Sequence, residues 1–299
     1  MTMPSASEPV AASVAAPAAM SAATSAATSA ADIGSAAAAR PFVELVGVGV
    51  DYPVFSARGR SLKGTIARSV GGRIGVGADH VVMVTALDQV SLSLRPGDRV
   101  AILGHNGSGK STLLKVIAGI FEPLRGSVRI RGQVSTLLEL TMGMDFEATG
   151  YENIWTRSVF LGATFAEAKA RVAEIEAFSE LGDYLNFPMR TYSSGMVARL
   201  AFAISTVMRP EILVIDELMS TADAAFAAKS KERLLGLIEH SRILAFATHD
   251  LAAAKDVCTS GIVLDGGRVR FNGPIDEAIA SYLASLKELN KGPAGGAGP

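Results

Sequence analysis

Cysteine is almost absent from this sequence, and its scarcity limits the kinds of protein that the chain can be. The 299 residues contain one cysteine, Cys258. A lone cysteine cannot form an intramolecular disulfide, so a small secreted scaffold held by disulfides is excluded. The four histidines stand far apart in the sequence and do not form a zinc motif. A reducing compartment is therefore the expected environment.

A large charge of one sign and long apolar runs are also lacking. The formal net charge at pH 7 is −1, so the overall charge gives no reason to expect a nucleic-acid partner. No run approaches the roughly 18 consecutive apolar residues of a membrane span. What the chain does have is 49% hydrophobic residues over its 299 positions, which is enough for a sizeable core.

The two ends of the chain differ in composition from its body. Residues 1–40 are almost entirely Ala, Ser, Thr and Pro, which offer little to bury, so we expect a disordered leader. This leader lacks the basic start and the Leu-rich core of a secretion signal. Residues 291–299 are rich in Gly and Pro and predict a flexible tail. One folded domain is therefore expected over residues 41–290.

Strand and helix patterns alternate along this body, which predicts an α/β fold with a mixed or parallel core sheet. The stretches FVELVGVGV and VSLSL are rich in β-branched residues and indicate strands. RVAILG is a continuous apolar run that ends in glycine, as expected of a buried central strand. The motif that follows this strand carries the strongest functional signal in the chain.

GHNGSGKST matches the phosphate-loop pattern and lies between a buried strand and the helical pattern LLKVIAGI. Its glycines allow successive N–H groups to surround phosphate oxygens at a helix N-terminus. Lys110 supplies positive charge to the β and γ phosphates of ATP, and the Ser111 hydroxyl is a Mg²⁺ ligand. The alternative is a glycine-rich turn that matches the phosphate-loop pattern by chance. The residues predicted to bind nucleotide here are Gly104, His105, Asn106, Gly107, Ser108, Gly109, Lys110, Ser111 and Thr112.

Two further strands end on polar residues, and in parallel sheets ligands gather at the carboxyl ends of strands. EILVIDE places Asp216 where it would hold Mg²⁺ through water, and Glu217 where it would orient or deprotonate the attacking water. RILAFATHD ends with His249, which we predict to donate a hydrogen bond to the γ phosphate. The alternatives are a solvated acidic strand end and an ordinary surface histidine.

A short segment, YSSGM, is the fourth motif, after the phosphate loop and the two polar strand ends. It begins a helical stretch and stands between the phosphate loop and the strand that ends in Asp216. With these motifs in this order, residues 42–286 resemble the ATP-binding-cassette (ABC) family, whose signature usually reads Leu-Ser-Gly-Gly-Gln. Here Ser193 and Gly195 are kept, whereas Tyr192, Ser194 and Met196 depart from it. The resemblance implies an ABC-type P-loop NTPase with an antiparallel β subdomain and a helical subdomain beside the core sheet.

The resemblance also implies a head-to-tail dimer with ATP at the interface. Ser193 and Gly195 would face the ATP of a second copy, and Asp223, seven residues after Asp216, would contact that copy. Tyr52 matches the aromatic residue that stacks on adenine, although a plain strand-end tyrosine is the alternative. The family's glutamine between the subdomains is missing, and Glu139 falls near its place as a candidate for contact with Mg²⁺ or water.

The helical subdomain is expected over about residues 139–208, with helices over 149–161 and 164–181. Thr164 followed by Glu167 predicts a capping box at the start of the second helix. In the ABC family this subdomain receives the coupling helices of a transmembrane permease. A multi-span permease is therefore an expected partner, and the expected location is the cytoplasmic face of the cell membrane, as a peripheral protein.

A basic insert is predicted over about residues 53–85. It carries several Arg and Lys residues, and Leu62, Ile66 and Val70 repeat at a helical spacing. Such a short amphipathic helix would lie against anionic lipid, a lipid pyrophosphate or the membrane subunit. The alternative is a solvent-exposed insert without a binding role.

Together with YSSGM and LTMGMDFEATGYENI, this insert resembles the ATPase subunits of polysaccharide exporters, which move O-antigen, capsule or teichoic-acid chains. The resemblance implies ATP hydrolysis that drives export of a lipid-linked polysaccharide. A different exporter, a cassette ATPase acting on ribosomes or DNA, and a nucleotide-binding regulator without turnover remain the alternatives.

Overall fold

The computed structural model describes residues 40–54, 73–76, 82–216 and 224–290. Its elements fall into two sheets and a set of helices. The first sheet is antiparallel, with the strand order β2-β3-β1-β5. Its strands are β1 (Phe42–Val54), β2 (Arg73–Val76), β3 (Val82–Leu94) and β5 (Arg125–Arg131).

The second sheet has the order β10-β9-β4-β8-β7-β6 and is mixed. Strands β9, β4, β8, β7 and β6 pair in parallel, and β10 adds to β9 in the antiparallel direction. The predicted α/β class with a mixed core sheet and an antiparallel β part is therefore confirmed. The strands are β4 (Arg99–Leu103), β6 (Val134–Leu137), β7 (Ile212–Asp216), β8 (Ile243–Ala247), β9 (Ser260–Asp265) and β10 (Arg268–Pro274).

Seven α-helices are assigned in the described ranges. They are α1 (Lys110–Ile117), α2 (Gly150–Phe160), α3 (Phe165–Ser179), α4 (Ser194–Thr206), α5 (Ala224–His240), α6 (Leu251–Val257) and α7 (Ile275–Asn290). Two short 3₁₀ turns, Gly182–Asn186 and Met189–Thr191, connect α3 to α4. None of the helices in these ranges is both long and apolar enough to cross a bilayer.

The predicted capping box at the start of α3 is confirmed. The Thr164 hydroxyl accepts from the Glu167 amide at 3.2 Å, and the Glu167 carboxylate accepts from the Thr164 amide at 2.7 Å. Thr149 and Glu152 form the same arrangement at the start of α2. In each case the two side chains satisfy amides that a helix start leaves without partners.

The core lies on both faces of the six-stranded sheet, because alternate residues of each strand point to opposite faces. In β4, Val100 and Ile102 pack with α1 and the antiparallel sheet. Ala101 and Leu103 pack on the other face with α2 to α7. The central strand is thus buried on both sides, as its continuous apolar sequence predicts, and its carboxyl end is held rigidly at one edge of the molecule.

Arg157 of α2 is an unusual core residue, with only 2% of its surface exposed. Its guanidinium donates to the Met142 carbonyl and, at 3.0 Å, to the Ser205 hydroxyl of α4. Burial lowers the pKa of Arg157 to about 10, still well above neutral pH, so the side chain stays charged. The contacts join α2, α4 and the segment that precedes α2.

Within the basic insert, the structure describes residues 53–54, 73–76 and 82–85. Strand β1 continues past Tyr52 to Val54, where it pairs with Val82 of β3, and β2 pairs with the same end of β3. These three parts of the insert therefore extend the antiparallel sheet. The predicted amphipathic helix carrying Leu62, Ile66 and Val70 lies outside the described residues, as do the leader over residues 1–39 and the tail over residues 291–299.

Candidate functional site

The phosphate loop joins the carboxyl end of β4 to the start of α1, as the sequence predicts. Gly109 has a φ of 106°, and a Cβ atom at this position would lie 2.6 Å from the Ala86 carbonyl oxygen. Gly107 has a φ of 79°. Both backbone conformations favour glycine, so the loop depends on these residues for its shape. Its amides end at the N-terminus of α1, which favours bound anions.

Lys110 is the first residue of α1 and is 8% exposed. Its Nζ atom donates to the Gly104 carbonyl at 2.7 Å and to the His105 carbonyl at 3.1 Å. These two bonds hold the Lys110 ammonium group against the first residues of the phosphate loop. Lysine at this place brings a full positive charge to a cleft that otherwise offers backbone dipoles.

Ser111 and Asp216 meet although 105 residues separate them in the sequence. The Ser111 hydroxyl donates to Asp216 Oδ2 at 2.7 Å. The contact arises because β7 ends at Asp216 beside the start of α1. A hydroxyl and a carboxylate held together match the hard oxygen ligands that Mg²⁺ prefers, so the residues present fit this ion. The described ranges contain no cluster of three or more His, Cys, Asp or Glu side chains able to hold a metal.

A cleft of about 610 Å³ opens over the loop, which is within the usual size range of small-ligand sites. Nine of the residues predicted from the sequence line it, together with four that were not predicted. The predicted ones are Tyr52, Asn106, Gly107, Gly109, Lys110, Ser111, Thr112, Asp216 and His249. The others are Val84, Thr85, Ala86 and Leu138, which belong to no motif.

Tyr52 closes one side of the cleft. Its hydroxyl lies 3.3 Å from the Thr112 hydroxyl, and its ring meets Phe121 edge-on with the ring centroids 5.8 Å apart. Next to it, hydrogen bonding from Arg125 holds the pKa of the Asp51 carboxyl below its usual value, so this end of β1 carries a stable ion pair. These contacts fix the Tyr52 ring at the wall of the cleft, and its stacking on adenine stays a prediction.

Three predicted loop residues do not line the cleft. Gly104 contributes its carbonyl to Lys110. The His105 ring turns away, with Nε2 3.4 Å from Asp265 and Nδ1 2.7 Å from the Asn106 carbonyl. Ser108 is fully buried, and its hydroxyl has no hydrogen-bond partner among the described residues. These three residues therefore belong to the loop without lining the cleft.

His249 follows β8 and faces the cleft with an exposed side chain. The next residue, Asp250, caps α6 by accepting from the Ala252 and Ala253 amides at 2.9 and 3.1 Å. The buried Thr248 hydroxyl accepts from the Asp250 amide at 3.0 Å. The turn that carries His249 is thus anchored on both sides.

Glu139 is not among the residues that line this cleft. Its carboxylate pairs with Lys115 of α1 at 2.7 Å, and it lines a small neighbouring gap with Lys115 and Arg157. Its neighbour Leu138 faces the phosphate cleft instead. The role of Glu139 toward Mg²⁺ or water stays a prediction.

No residue of the YSSGM segment lines the phosphate cleft of the same chain, but Tyr192 and Ser194 line an adjoining cavity that shares Leu138 and Asp216 with that cleft. Ser193 is exposed and caps α4, its hydroxyl accepting from the Met196 amide at 3.2 Å. Gly195 is half-buried in the first turn. Neither residue lines the cleft that holds Lys110. The predicted Glu217 and Asp223 lie outside the described residues.

Tyr192, which departs from the usual signature, is a core residue with 9% of its surface exposed. Its hydroxyl donates to the Tyr184 carbonyl at 2.6 Å. Burial raises the pKa of Tyr192, so the phenol keeps its proton at neutral pH. This hydrogen bond fastens the residue before the N-cap of α4 to the 3₁₀ turn Gly182–Asn186.

Replacing Tyr192 with phenylalanine is expected to lower the free energy of unfolding by about 1–2 kcal/mol, because the Tyr184 carbonyl loses its donor. Denaturant unfolding of the purified protein measures this change. Tyr184→Phe is the matched control, since that side chain is 54% exposed and its carbonyl is retained. Equal stability of Tyr192→Phe and the parent protein would contradict the anchoring role.

Comparison with known proteins shows which proteins this chain is similar to. The family model for "ABC transporter" matches residues 87–220. The O-antigen export system ATP-binding protein RfbE of Yersinia enterocolitica is 48% identical over 74% of this chain and 93% of its own length. The corresponding RfbB of Myxococcus xanthus is 43% identical over 68% of this chain, and the match spans 47% of that longer protein.

A solved structure of an ATP-binding subunit of an ABC transporter superposes with a TM-score of 0.59. It is 24% identical and covers 83% of this chain and 98% of its own. At this identity the likeness supports the fold alone. The fold, the phosphate-loop cleft and the extent of identity to RfbE lead to one conclusion: the chain belongs to the ABC transporter family, as an ATP-binding protein whose site has the parts of an ATPase.

Proposed function

We propose that this protein is the ATPase subunit of an exporter that moves a lipid-linked polysaccharide across the cell membrane. The single observation that carries the ATPase part is the cleft that unites Lys110, the Ser111–Asp216 pair and His249. The polysaccharide cargo is supported by the 48% identity to a protein named for O-antigen export, nearly all of whose length is matched.

Each described residue of the cleft has a part in this reaction. Lys110 and the loop amides bind the phosphates of ATP and neutralise charge that builds up in the transition state. Ser111 and Asp216 would hold Mg²⁺, which supplies further neutralising charge when bound. His249 donates a hydrogen bond to the γ phosphate. Glu217, one residue after β7, orients the attacking water and accepts its proton.

A head-to-tail dimer completes the site in this proposal. Ser193 and Gly195 are accessible at the start of α4, yet they lie outside the phosphate cleft of their own chain. Backbone amides at a helix start favour phosphate. In the dimer these amides bind the ATP held by Lys110 of the second copy, and Asp223 contacts that copy. ATP therefore draws two chains together, and hydrolysis releases them.

The proposed membrane partner is a multi-span permease, which would place this chain at the cytoplasmic face as a peripheral protein. Several large apolar side chains are exposed on and near α2 and α3, and we propose that they contribute to the permease contact. These side chains are Phe146, Val159, Phe160, Phe165, Tyr184 and Phe187. The basic insert would contact anionic lipid beside the permease, and no nucleic acid is needed.

Co-expression with a candidate permease tests the proposal. The two proteins are expected to co-purify in detergent, and proteoliposomes containing both are expected to translocate a lipid-linked glycan only with hydrolysable ATP. Proteoliposomes with the permease alone are the control. Salt-sensitive binding to rRNA or DNA with no permease association would overturn the export role and favour a ribosome- or DNA-directed ATPase.

A further inference from the structure

Phe121 lies beside Tyr52 but is not among the residues that line the nucleotide cleft. The two rings meet edge to face, with an interplanar angle of 67° and their centroids 5.8 Å apart. Aromatic pairs attract one another at this separation and in this arrangement. Phe121 belongs to none of the sequence motifs. Because it does not line the cleft, its effect on a bound nucleotide would pass through Tyr52, which does.

The plane of the Tyr52 ring depends on its neighbours. The backbone of Tyr52 is fixed by its pairing with Val84 of β3, but rotation about χ2 of a tyrosine has broad energy wells. The contact of its hydroxyl with Thr112 at 3.3 Å holds the tip of the ring and still allows the ring to turn about its long axis. The contact with Phe121 opposes that turn, because an edge-to-face pair is favourable over a limited range of angles.

Phe121 is itself held by α1 through its backbone and its side chain. The amides of Ile120 and Phe121 donate to the Lys115 carbonyl at 2.9 and 3.2 Å. The Lys115 ammonium lies 5.6 Å from the centroid of the Phe121 ring, within the range of a cation–π contact. The same ammonium pairs with Glu139 at 2.7 Å. The ring that contacts Tyr52 is therefore tied to the helix that begins at the phosphate loop.

Helix α1 thus fixes both ends of the cleft. Its first residues, Lys110 and Ser111, line the part that binds phosphate, and Lys115 holds Phe121 against Tyr52 at the other end. A side chain that is fixed before the ligand arrives loses less conformational freedom on binding, and this strengthens binding. A loosely held Tyr52 ring would lose that freedom when adenine stacks on it.

We propose that Phe121 is a positioning residue for the nucleoside end of ATP, which fixes the plane of the Tyr52 ring on which adenine stacks. The inference rests on the proposed ATPase function and on the predicted stacking of adenine on Tyr52. Phe121 acts on the affinity for the base and leaves the phosphate-binding groups as they are.

Equilibrium binding of ADP and of inorganic pyrophosphate to the full chain, each with Mg²⁺, tests the proposal, because the two ligands differ by the adenosine. Phe121→Leu removes the ring and is expected to weaken ADP binding about three- to tenfold, with pyrophosphate binding unchanged. Tyr52→Ala is expected to weaken ADP binding about tenfold or more. Phe121→Tyr keeps the ring and should bind ADP as the parent chain does. Leu124→Ala, at a position of the same loop that is 68% exposed, is the matched control.

The double variant of Phe121→Leu and Tyr52→Ala is expected to bind ADP as Tyr52→Ala alone does, since Phe121 acts through Tyr52. Additive losses, or parental ADP binding by Phe121→Leu, would overturn the proposal. Weaker pyrophosphate binding by Phe121→Leu would also overturn it and assign Phe121 to the shape of the phosphate loop. Should Phe121→Leu fail to fold, Phe121→Met allows the same comparisons.

The outcomes separate this inference from the proposed function. Parental ADP binding by Tyr52→Ala would overturn the stacking and the positioning role together, while the ATPase and export roles would stand. Failure of glycan export would leave the positioning role intact, because ADP binding is measured without the permease.

Discussion

Replacing Lys110 with alanine is expected to lower ATP hydrolysis by about 10²- to 10³-fold and to weaken ATP binding as well. The physical reason is the position of its ammonium group, which two loop carbonyls hold beside the phosphate-binding amides at 2.7 and 3.1 Å. That charge acts on the bound phosphates and on the transition state, so both KM and kcat change. Steady-state phosphate release and equilibrium binding of ATP measure the two effects.

The control for this prediction is Lys169→Ala, which removes an exposed lysine from α3, far along the chain from the phosphate loop. Turnover by Lys169→Ala is expected to equal that of the parent protein. Thermal unfolding of Lys110→Ala should show an intact fold, since its side-chain bonds go to loop carbonyls rather than to the core. Hydrolysis by Lys110→Ala at the parental rate would refute the proposed site.

The site features whose placement in the structure agrees with the sequence analysis depend on local rules. The phosphate loop is recognisable because its glycines are needed for positive φ angles, and because a buried strand and a helix flank it. Ser111 and Asp216 are predicted to converge because parallel strands end at one edge of a sheet. The hydrogen bond of 2.7 Å between them in the structure agrees with that rule.

Other features could not be predicted, because they depend on contacts between distant segments. The position of Glu139 near a family residue gives no indication of its ion pair with Lys115. The direction of a side chain in an irregular segment depends on its partners, and sequence spacing does not reveal them. Tyr192 is similar: its departure from the signature was visible, but its hydrogen bond to the Tyr184 carbonyl was not.

The burial of Arg157 is a clearer example of a feature that depends on contacts between distant segments. A lone arginine in a helical pattern predicts an exposed residue, whereas this one is 2% exposed and joins two helices to the segment before α2. The cost of burying this cation is offset in part, because a backbone carbonyl and a hydroxyl accept from its two Nη atoms, whereas its Nε has no hydrogen-bond partner among the described residues. Only the assembled helices create that environment, so composition and periodicity gave no signal for it.

Replacing Glu217 with glutamine is expected to lower turnover by about 10²- to 10⁴-fold while leaving ATP affinity nearly unchanged. Glutamine keeps the size of the side chain and one acceptor oxygen, but its amide cannot accept the proton of the attacking water. Because ATP still binds, the proposed dimer should accumulate with its nucleotide intact, and size-exclusion chromatography with ATP and Mg²⁺ would detect it.

The control for Glu217→Gln is Glu232→Gln at an exposed position of α5, which should leave turnover and assembly as they are in the parent chain. The contrast with Lys110→Ala separates binding from chemistry: one variant is expected to lose both affinity and turnover, and the other turnover alone. Loss of ATP affinity in Glu217→Gln would assign this residue a structural role. Parental turnover in Glu217→Gln would mean that another group activates water, and His249, the other predicted catalytic residue and one that lines the cleft, would be the first to test.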